Sequence, residues 1–387
     1  MPPGLGQQFM SRLHFITAIP QNVQRGSGCY VGTWTLARAL RGLGVEIDIV
    51  APRLSVPAYL PTRILFNETL RGRRFDSDAT IGIDADGYSI VGNGRRWNRQ
   101  PHVACVKGVL GDAIRFERGA TRASMAIQAR LEAVHARHAD LVITVSRYCA
   151  QRLEELYGVR NAVVVPELMD LDAWRNRFRS NPAVPDPRKF TVLSVCRFYP
   201  RKRLDVLLRA VALLRGRLPE LEVRIVGNGP ERPRLYDMTR ELGIERFISW
   251  VGDVTIDQLA AEYNRADVFC LPSVQEGFGI VFLEAMAAGK AIIAAHTAAM
   301  PEVIRHGVLF EPDHAEALAN ALILLDCDPD LRRLLGAAGS RDVQEFDMHR
   351  VARQFLSEVA RIAPGLALPE DVPSLPEEEK REAAHAT

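Results

Sequence analysis

The sequence predicts an α/β protein with two doubly wound domains, each built on a parallel sheet that helices cover on both faces. Short apolar runs alternate with segments of helical periodicity, and this alternation starts twice along the chain. The length supports the same division, because 387 residues, 47% of them hydrophobic, are enough for two ordinary globular domains with separate cores.

The first half of the chain contains five apolar runs of strand length. Strands that are buried on both faces of a parallel sheet appear in a sequence as nearly continuous apolar runs. The predicted strands are residues 13–19, 45–50, 79–83, 103–106 and 141–145, and the predicted helices are 28–41 and 121–137.

A proline-rich stretch then interrupts the alternation. Residues 176–188 include Asn-Pro-Ala-Val-Pro-Asp-Pro, and proline disfavours helix both at its own position and at the preceding residue. We therefore expect a stiff, helix-free linker here, with residues 1–180 forming the first domain and 181–345 the second.

The second half repeats the pattern and adds three helical segments. Its predicted strands are 190–196, 221–226, 247–251, 268–271 and 291–294, and its earlier helices are 204–215, 232–242, 256–263 and one that contains Glu284. The last helical segment, near 348–362, is amphipathic enough to pack outside its own sheet. Residues 364–387 are rich in Pro, Glu and Ala without periodicity, which predicts a disordered tail.

The composition argues against several classes of protein. The net charge is +2, and only five of the 49 basic residues are lysine, so there is no sign of a nucleic-acid-binding stripe. The six cysteines are dispersed and predict reduced thiols. The sequence shows neither a secretory leader nor an apolar stretch of about 18 residues. We expect a cytoplasmic protein.

The segment from Glu276 to Gly289 is the most informative motif. A carboxylate, Glu276, precedes the glycine-rich turn Gly277-Phe278-Gly279, and a second one, Glu284, lies on the helix that follows. Free N–H groups at a helix start favour a phosphate, and carboxylates accept hydrogen bonds from sugar hydroxyls. The pattern is typical of a phosphorylated-sugar pocket.

Polar residues also follow the other strands of the second half. Arg197 and Lys202 lie in a turn with four cations in seven residues, where they could clamp a diphosphate and stabilise it as a leaving group. A solvated basic turn is the alternative explanation. Gly227-Asn228-Gly229 and the turn that ends at Val254 follow two further strands, and the first of these is by itself a common structural turn.

The first half offers weaker signals. Gly28 belongs to a Gly-Ser-Gly turn that is predicted to open a helix, but Val31 stands where a dinucleotide fingerprint needs its third glycine. Asp84, Asp86 and Lys107 follow two strands and are expected to point into the cleft between the domains.

Other catalytic or metal-binding patterns are missing from the sequence. It contains no P-loop, no Gly-x-Ser-x-Gly elbow and no His-Glu-x-x-His motif. Asp-x-Asp recurs along the chain, for example at residues 84–86, 170–172 and 328–330, so its spacing does not indicate a metal site, and we predict none. His135 and His138 are expected to be surface residues at a polar helix end.

The segment from Glu276 to Gly289 resembles the Glu-x7-Glu motif of retaining glycosyltransferases of family 4. Val195-Cys-Arg197 with Lys202, Val226-Gly-Asn-Gly-Pro, Ser146-Arg-Tyr and Val165-Pro with Asp170 are in that family's order and spacing. The resemblance covers most of residues 13–362. It implies a GT-B fold, a final helix (346–363) that crosses back onto the first domain, a nucleotide-sugar co-substrate and no required metal or other cofactor.

The resemblance also implies roles for individual residues. Arg197 and Lys202 would bind the donor diphosphate, Glu276 the sugar hydroxyls and Glu284 the ribose, so Arg197, Lys202 and Glu276 are the expected catalytic residues. The other expected donor-binding residues are Gly28, Gly227, Asn228, Gly229, Val254, Gly277, Phe278, Gly279, Ile280 and Val281.

Two positions depart from the family's pattern. Lys107 stands where many members have a histidine, and Glu167 stands where asparagine is common. A lysine can hold a phosphate or a sugar oxygen, but it cannot act as a neutral imidazole.

The expected reaction is transfer of a sugar from a nucleoside diphosphate-sugar to a hydroxyl acceptor with retention, with Asp84, Asp86 and Lys107 on the acceptor or sugar side. The acceptor could be a glycan, a lipid-linked sugar or a small molecule, and a lipid-linked one would bring the enzyme to the inner face of a membrane. Two alternatives stay open: an epimerase of the nucleotide sugar, and a non-catalytic subunit that binds it.

Overall fold

The computed structural model describes residues 11–19, 23–52, 59–71, 73–87 and 100–366. Within these residues the chain forms two six-stranded sheets in which every paired strand is parallel. The first contains β1 (Ser11–Ile16), β2 (Val45–Val50), β3 (Ala79–Ile83), β4 (His102–Val106), β5 (Leu141–Thr144) and β6 (Val163–Val164). The second contains β7 (Phe190–Val195), β8 (Leu221–Val226), β9 (Ile248–Gly252), β10 (Val268–Leu271), β11 (Ala291–Ala295) and β12 (Val308–Phe310).

Helices connect the strands in both halves. Those of the first are α1 (Val23–Gly42), α2 (Tyr59–Thr69), α3 (Leu110–Ala113), α4 (Gly119–His138), α5 (Arg147–Tyr157) and α6 (Leu171–Ser180). Those that follow are α7 (Leu204–Leu214), α8 (Arg232–Glu241), α9 (Ile256–Arg265), α10 (Ile280–Ala287), α11 (Met300–Val303), α12 (Ala315–Cys327), α13 (Pro329–Asp342) and α14 (Met348–Ala360). The prediction of two doubly wound α/β domains is confirmed.

The strand order creates a switch point in each sheet. The first sheet runs β2-β1-β3-β4-β5-β6, and the second runs β12-β11-β10-β7-β8-β9. In the first sheet, the chain passes from β1 to β2 on one side and from the neighbouring strand β3 to β4 on the other side. In the second sheet, the neighbouring strands β7 and β10 lead in the same way to β8 and β11 on opposite sides. A crevice opens at the carboxyl ends of such strands, where ligands bind in open α/β sheets.

Helix α14 crosses back to the first sheet, as expected. Its apolar face, which includes Val351, Phe355 and Val359, is buried in the same core as Leu13 and Phe15 of β1. The apolar residues on its buried side explain why the helix leaves its own sheet, since burying them removes apolar surface from water.

Several boundaries differ from the prediction. Residues 176–180 belong to α6, because Asp170 caps that helix and Trp174 packs into the core; the helix-free part begins at Asn181. The helices α2, α3, α5, α6 and α11 and the strands β6 and β12 were not predicted from the sequence. The N-terminal ten residues and the tail from 367 lie outside the described residues. None of the helices in the described part of the chain combines the length and hydrophobicity needed to cross a bilayer.

Candidate functional site

The switch point of the second sheet brings Lys202 and Glu276 together. Lys202 ends the turn after β7 and Glu276 follows β10, and Lys202 Nζ lies 2.5 Å from Glu276 Oε1. Both side chains are largely buried. Burial alone would raise the pKa of Glu276, but the positive charges of Lys202 and Arg201 outweigh it and hold that pKa below its ordinary value. Glu276 is therefore an ionised hydrogen-bond acceptor.

Arg197 lies at the end of β7 with its side chain 36% exposed. Its guanidinium is 3.7 Å from Asp253, and the Asn228 side chain also approaches Asp253, at 3.4 Å. Val254, beside Asp253, is partly buried. Among the described residues Arg197 has no closer charged partner, so its guanidinium can bind an incoming anion.

Two glycines after β8 are required by the backbone around them. Gly227 has φ +116°, and a Cβ there would lie 2.0 Å from the carbonyl oxygen of Cys196. A Cβ on Gly229 would lie 2.6 Å from the backbone nitrogen of Phe198. The turn after β8 therefore packs directly against the turn that carries Arg197. This packing alone requires glycine at both positions, whether or not a donor is bound.

The helix that carries Glu284 begins in a left-handed residue. Gly279 has φ +92° at the N-terminus of α10, where a Cβ would lie 2.6 Å from the Phe282 ring. Phe278 packs edge-on against Phe346 at 5.4 Å between ring centroids. This packing leaves Ile280 and Val281, the first residues of α10, only partly buried.

Glu284 is buried next to a tyrosine. The Tyr263 hydroxyl donates to Glu284 Oε2 at 2.8 Å, and burial raises the pKa of Glu284 to about 7, although the tyrosine hydrogen bond opposes the shift. The two carboxylates of the motif therefore differ: a neighbouring cation holds the pKa of Glu276 below its ordinary value, whereas burial raises the pKa of Glu284.

The first domain reaches the donor side at two points. Gly28, exposed on α1, faces α10: a Cβ on Gly28 would lie 3.9 Å from Ile280 Cδ1. Gly28 does not open its helix, because α1 begins at Val23. A Cβ on Gly277 would lie 2.6 Å from the carbonyl oxygen of Lys107. Gly277 is thus a glycine because the first domain packs against it.

Lys107 and Glu167, the two departures from the family's pattern, form one ion pair. Lys107 Nζ lies 2.9 and 2.8 Å from the two Glu167 oxygens, and both side chains are nearly buried. Burial would lower the pKa of Lys107, but the Glu167 carboxylate more than compensates and raises it. A Cβ on Gly32 of α1 would collide with this pair. The expected sugar-side lysine is therefore already engaged by a protein carboxylate.

Asp84 and Asp86 have different environments, although only Ala85 separates them. Asp86 is fully buried: Arg63 Nε donates to it at 2.8 Å and the backbone N–H of Ala18 at 2.6 Å. The expectation that Asp86 points into the cleft is wrong, because a buried ion pair with Arg63 holds its carboxylate.

Asp84 is partly buried in a strained backbone position. It has φ +55°, which is uncommon for a residue other than glycine. Its carboxylate accepts from the backbone N–H of Lys107 at 3.1 Å and from Cys29 Sγ at 3.4 Å, and burial raises its pKa. Asp84 is thus the acidic side chain that the first domain holds at the end of β3, next to Lys107.

His135 is buried, contrary to the expectation of a surface residue; His138 is exposed as expected. His135 Nδ1 lies 2.6 Å from the Asp84 carbonyl oxygen, so this nitrogen carries the hydrogen. Its Nε2 lies 2.8 Å from Nε2 of His102, and burial lowers the pKa of His135 to about 4. A neutral histidine therefore donates a hydrogen bond to the backbone carbonyl of the strained residue Asp84.

The described residues contain no group of three or more His, Cys, Asp or Glu side chains arranged to hold a metal ion. Tyr263, Cys29 and Glu302 contact candidate site residues or the helix starts beside them, and none of the three had been predicted from the sequence. No sequence signal identifies their partners, because each contact joins elements far apart in the chain.

Two family models match the chain in succession. Residues 27–173 match "Glycosyltransferase Family 4" and residues 176–342 match "Glycosyl transferases group 1".

Curated relatives match part of the chain. A GDP-mannose-dependent alpha-(1-6)-phosphatidylinositol monomannoside mannosyltransferase of Mycobacterium tuberculosis is 33% identical over 219 residues, which are 52% of this chain and 56% of the relative. A D-inositol 3-phosphate glycosyltransferase of Kribbella flavida is 33% identical over 225 residues, 54% of this chain and 53% of the relative. The chain spans about half the length of the curated relatives it matches.

Solved structures match over nearly the whole chain. Sucrose-phosphate synthase from Thermosynechococcus elongatus has a TM-score of 0.73 and 19% identity, covering 97% of this chain and 100% of that one. Anabaena HepE in complex with UDP-glucose has a TM-score of 0.66 and 17% identity, covering 91% and 100%. At these identities the likeness shows the fold alone.

Proposed function

The chain belongs to the family 4 glycosyltransferases, with the GT-B fold, and we propose that it transfers a sugar from a nucleoside diphosphate-sugar to a hydroxyl acceptor, with retention at the anomeric carbon. The observation that carries the proposal is the Lys202–Glu276 pair at the switch point of the second sheet, with the half-exposed Arg197 on the same strand end. The cations suit the diphosphate of a nucleotide sugar, and the ionised carboxylate in the same crevice suits the hydroxyls of its sugar.

The donor's diphosphate would bind Arg197 and Lys202. A lysine ammonium has three N–H donors, so Lys202 can bind Glu276 and still donate to a phosphate oxygen. The departing diphosphate gains negative charge in the transition state, and cations already in position stabilise that charge without reorganisation. The Lys202–Glu276 pair is thus preorganised for leaving-group stabilisation.

Glu276 would accept hydrogen bonds from hydroxyls of the transferred sugar. Its ionised state suits this role, because a carboxylate only accepts. Glu284, further along the same segment, would accept from the ribose. Since no carboxylate of the described cleft is assigned as a covalent nucleophile, the proposed mechanism has the acceptor hydroxyl attack on the face from which the diphosphate leaves. The acceptor oxygen bonds to the anomeric carbon as the bond from that carbon to the phosphate oxygen breaks, and the hydroxyl proton passes to the departing phosphate oxygen.

The acceptor would enter from the first-domain side, where Asp84 is the proposed contact for its hydroxyl. The strain at Asp84 supports this assignment, because strained conformations cluster at functional sites. The two curated relatives are named for phosphatidylinositol monomannoside and D-inositol 3-phosphate, so inositol phosphates and their lipid-linked glycosides belong in an acceptor screen.

A donor screen tests the proposal directly. Thermal unfolding is measured with GDP-mannose, UDP-glucose, other nucleotide sugars and, as a control, the free sugars. A ligand that binds the native state raises the unfolding temperature, and we expect one nucleotide sugar to do so. Its slow hydrolysis without acceptor should be lost in Glu276→Gln. A chain that no nucleotide sugar stabilises, or one that binds a donor but neither hydrolyses nor transfers it, would contradict a transferase function.

A further inference from the structure

The start of α5 in the first domain is occupied by a side chain of the second domain. The backbone N–H groups of Arg147 and Tyr148 donate to Glu302 at 3.0 Å each. The third amide, that of Cys149, donates to Ser146 Oγ at 3.1 Å, so Ser146 is the N-cap. These first three amides would otherwise lack partners within the helix. A carboxylate on α11 therefore caps a helix of the other domain, where the helix dipole favours negative charge.

The same Ser146 contacts the donor loop. Its hydroxyl donates to the carbonyl oxygen of Gly277 at 2.7 Å while it accepts from Cys149. On its other side, Gly277 is so close to Lys107 that a Cβ could not fit. The Gly277 peptide is thus held by the first domain from two directions, although the loop belongs to the second.

The neighbouring residue makes this contact relevant to the donor. Glu276 precedes Gly277 directly, and its carboxylate is paired with Lys202. On the second-domain side the loop is tied to the basic turn, because Val274 N–H donates to the Arg201 carbonyl oxygen at 2.9 Å. A shift of the Gly277 peptide would therefore change the orientation of Glu276 relative to Lys202, whereas the start of the loop would stay in place.

We propose that Ser146 and Glu302 are positioning residues that set the donor loop through the start of α5. Glu302 docks the helix start against the second domain, and the Ser146 hydroxyl then fixes the Gly277 carbonyl. Both contacts join the two domains, so they exist only while the domains are together. The proposal rests on the proposed function, because the loop that depends on the domain contact is the one assigned to donor binding.

Variants of Ser146 test whether its hydroxyl is the group that positions the loop. Ser146→Ala removes both the cap and the bond to Gly277, whereas Ser146→Thr keeps a hydroxyl for both. Asp328→Ala is the matched control, because it removes the N-cap of α13 (2.8 Å to the Leu331 N–H) away from the cleft. Glu302→Ala removes the docking carboxylate, and Glu302→Gln keeps an acceptor oxygen without the charge.

Two measurements follow on the full chain. Hydrogen exchange of the peptide that covers residues 276–284 should become faster in Ser146→Ala and Glu302→Ala. With GDP-mannose or UDP-glucose, whichever the screen identifies, kcat/KM should fall about tenfold in Ser146→Ala. Ser146→Thr should restore both values, Glu302→Gln should lie between wild type and Glu302→Ala, and Asp328→Ala should leave both values unchanged.

The outcomes distinguish this proposal from the function on which it rests. If Ser146→Ala exchanges and turns over like Asp328→Ala, the positioning role is excluded. It is also excluded if Ser146→Thr restores neither value, since the hydroxyl would then not be the acting group. If the wild-type chain turns over no donor, the proposed function fails, and the exchange rates of residues 276–284 still decide whether α5 positions the loop.

Discussion

On the second-domain side of the cleft, the Arg197 side chain is 36% exposed and its nearest charged partner among the described residues is 3.7 Å away. On the first-domain side, Lys107 is 6% exposed and bound by both oxygens of Glu167, and Asp86 is fully buried against Arg63. The two sides therefore use charge differently. The second domain leaves the Arg197 guanidinium open to a ligand and pairs Lys202 with Glu276, whereas the first domain pairs both Lys107 and Asp86 to build a rigid edge. The first domain also presents Asp84 and backbone groups at its side of the cleft.

The largest effect that we predict is on the folding of the first domain. Arg63→Met leaves the Asp86 carboxylate buried without its cation, which should lower the free energy of unfolding by about 3–5 kcal/mol. Arg305→Met is the matched control, because Arg305 pairs with Glu345 where both side chains are 40% exposed or more. That variant should cost less than about 1 kcal/mol.

Urea unfolding of both variants measures this difference. An equal loss of stability in the two variants would show that the Arg63–Asp86 pair is not structural, and the contrast between the two sides of the cleft would then fail.

The sequence predicts the fold well because apolar runs and helical segments carry their own periodicity. It also places Glu276 and Arg197 after strands, which is where the structure has them. It does not show that β7 and β10 are neighbours, which is what brings Lys202 to Glu276. Contacts between distant segments are a property of topology, and a single sequence gives no direct signal for them.

Helix α4 explains why the first-domain side was harder to predict. Its buried face carries Gln128, Glu132 and His135, which sequence patterns assign to solvent. These side chains are buried because they meet other polar groups: Arg63, Tyr157 and the Asp84 carbonyl oxygen. A polar buried face reverses the usual amphipathic signal, and this is why His135 was wrongly predicted to be exposed.

The second prediction concerns the two cations of the donor side, Arg197 and Lys202. Arg197→Ala and Lys202→Ala should each lower kcat by about 10²–10³, because the departing diphosphate loses a stabilising charge. Arg240→Ala is the control, since it removes an exposed cation from the same domain. Steady-state kinetics test this, with thermal unfolding to show that each variant is folded. Wild-type turnover in both variants would exclude the diphosphate clamp.

The third prediction compares two buried glutamates, one in each domain. Tyr157 donates to Glu132 at 2.6 Å and Tyr263 to Glu284 at 2.8 Å, and burial raises the pKa of Glu132 to about 8 and that of Glu284 to about 7. When folding raises the pKa of a carboxyl group, the folded protein becomes less stable as the pH rises from the ordinary pKa toward the raised one.

Glu284→Gln should therefore match wild type near pH 4.5 and be more stable on the order of 3 kcal/mol at pH 8. Glu132→Gln should show the same trend. Donor affinity separates them: in wild type it should fall as pH drops below about 7, since a protonated Glu284 is a poorer acceptor for the ribose. This pH dependence should vanish in Glu284→Gln alone. Its persistence in that variant would contradict the ribose assignment.

The smallest effect is expected where both members of a buried pair are replaced. Lys107→Met alone should be strongly destabilising, because it leaves Glu167 buried without a partner. Replacing both as Lys107→Met with Glu167→Leu removes the two desolvation costs together with the attraction, so stability should stay within about 1 kcal/mol of wild type. If the pair only stabilises the edge of the first domain, its two charges do not act on the reacting atoms. In that case kcat/KM should change less than about threefold. A folded double variant that loses activity like Lys202→Ala would mean that Lys107 acts on the substrate, and both sides of the cleft would then use a paired lysine to bind it.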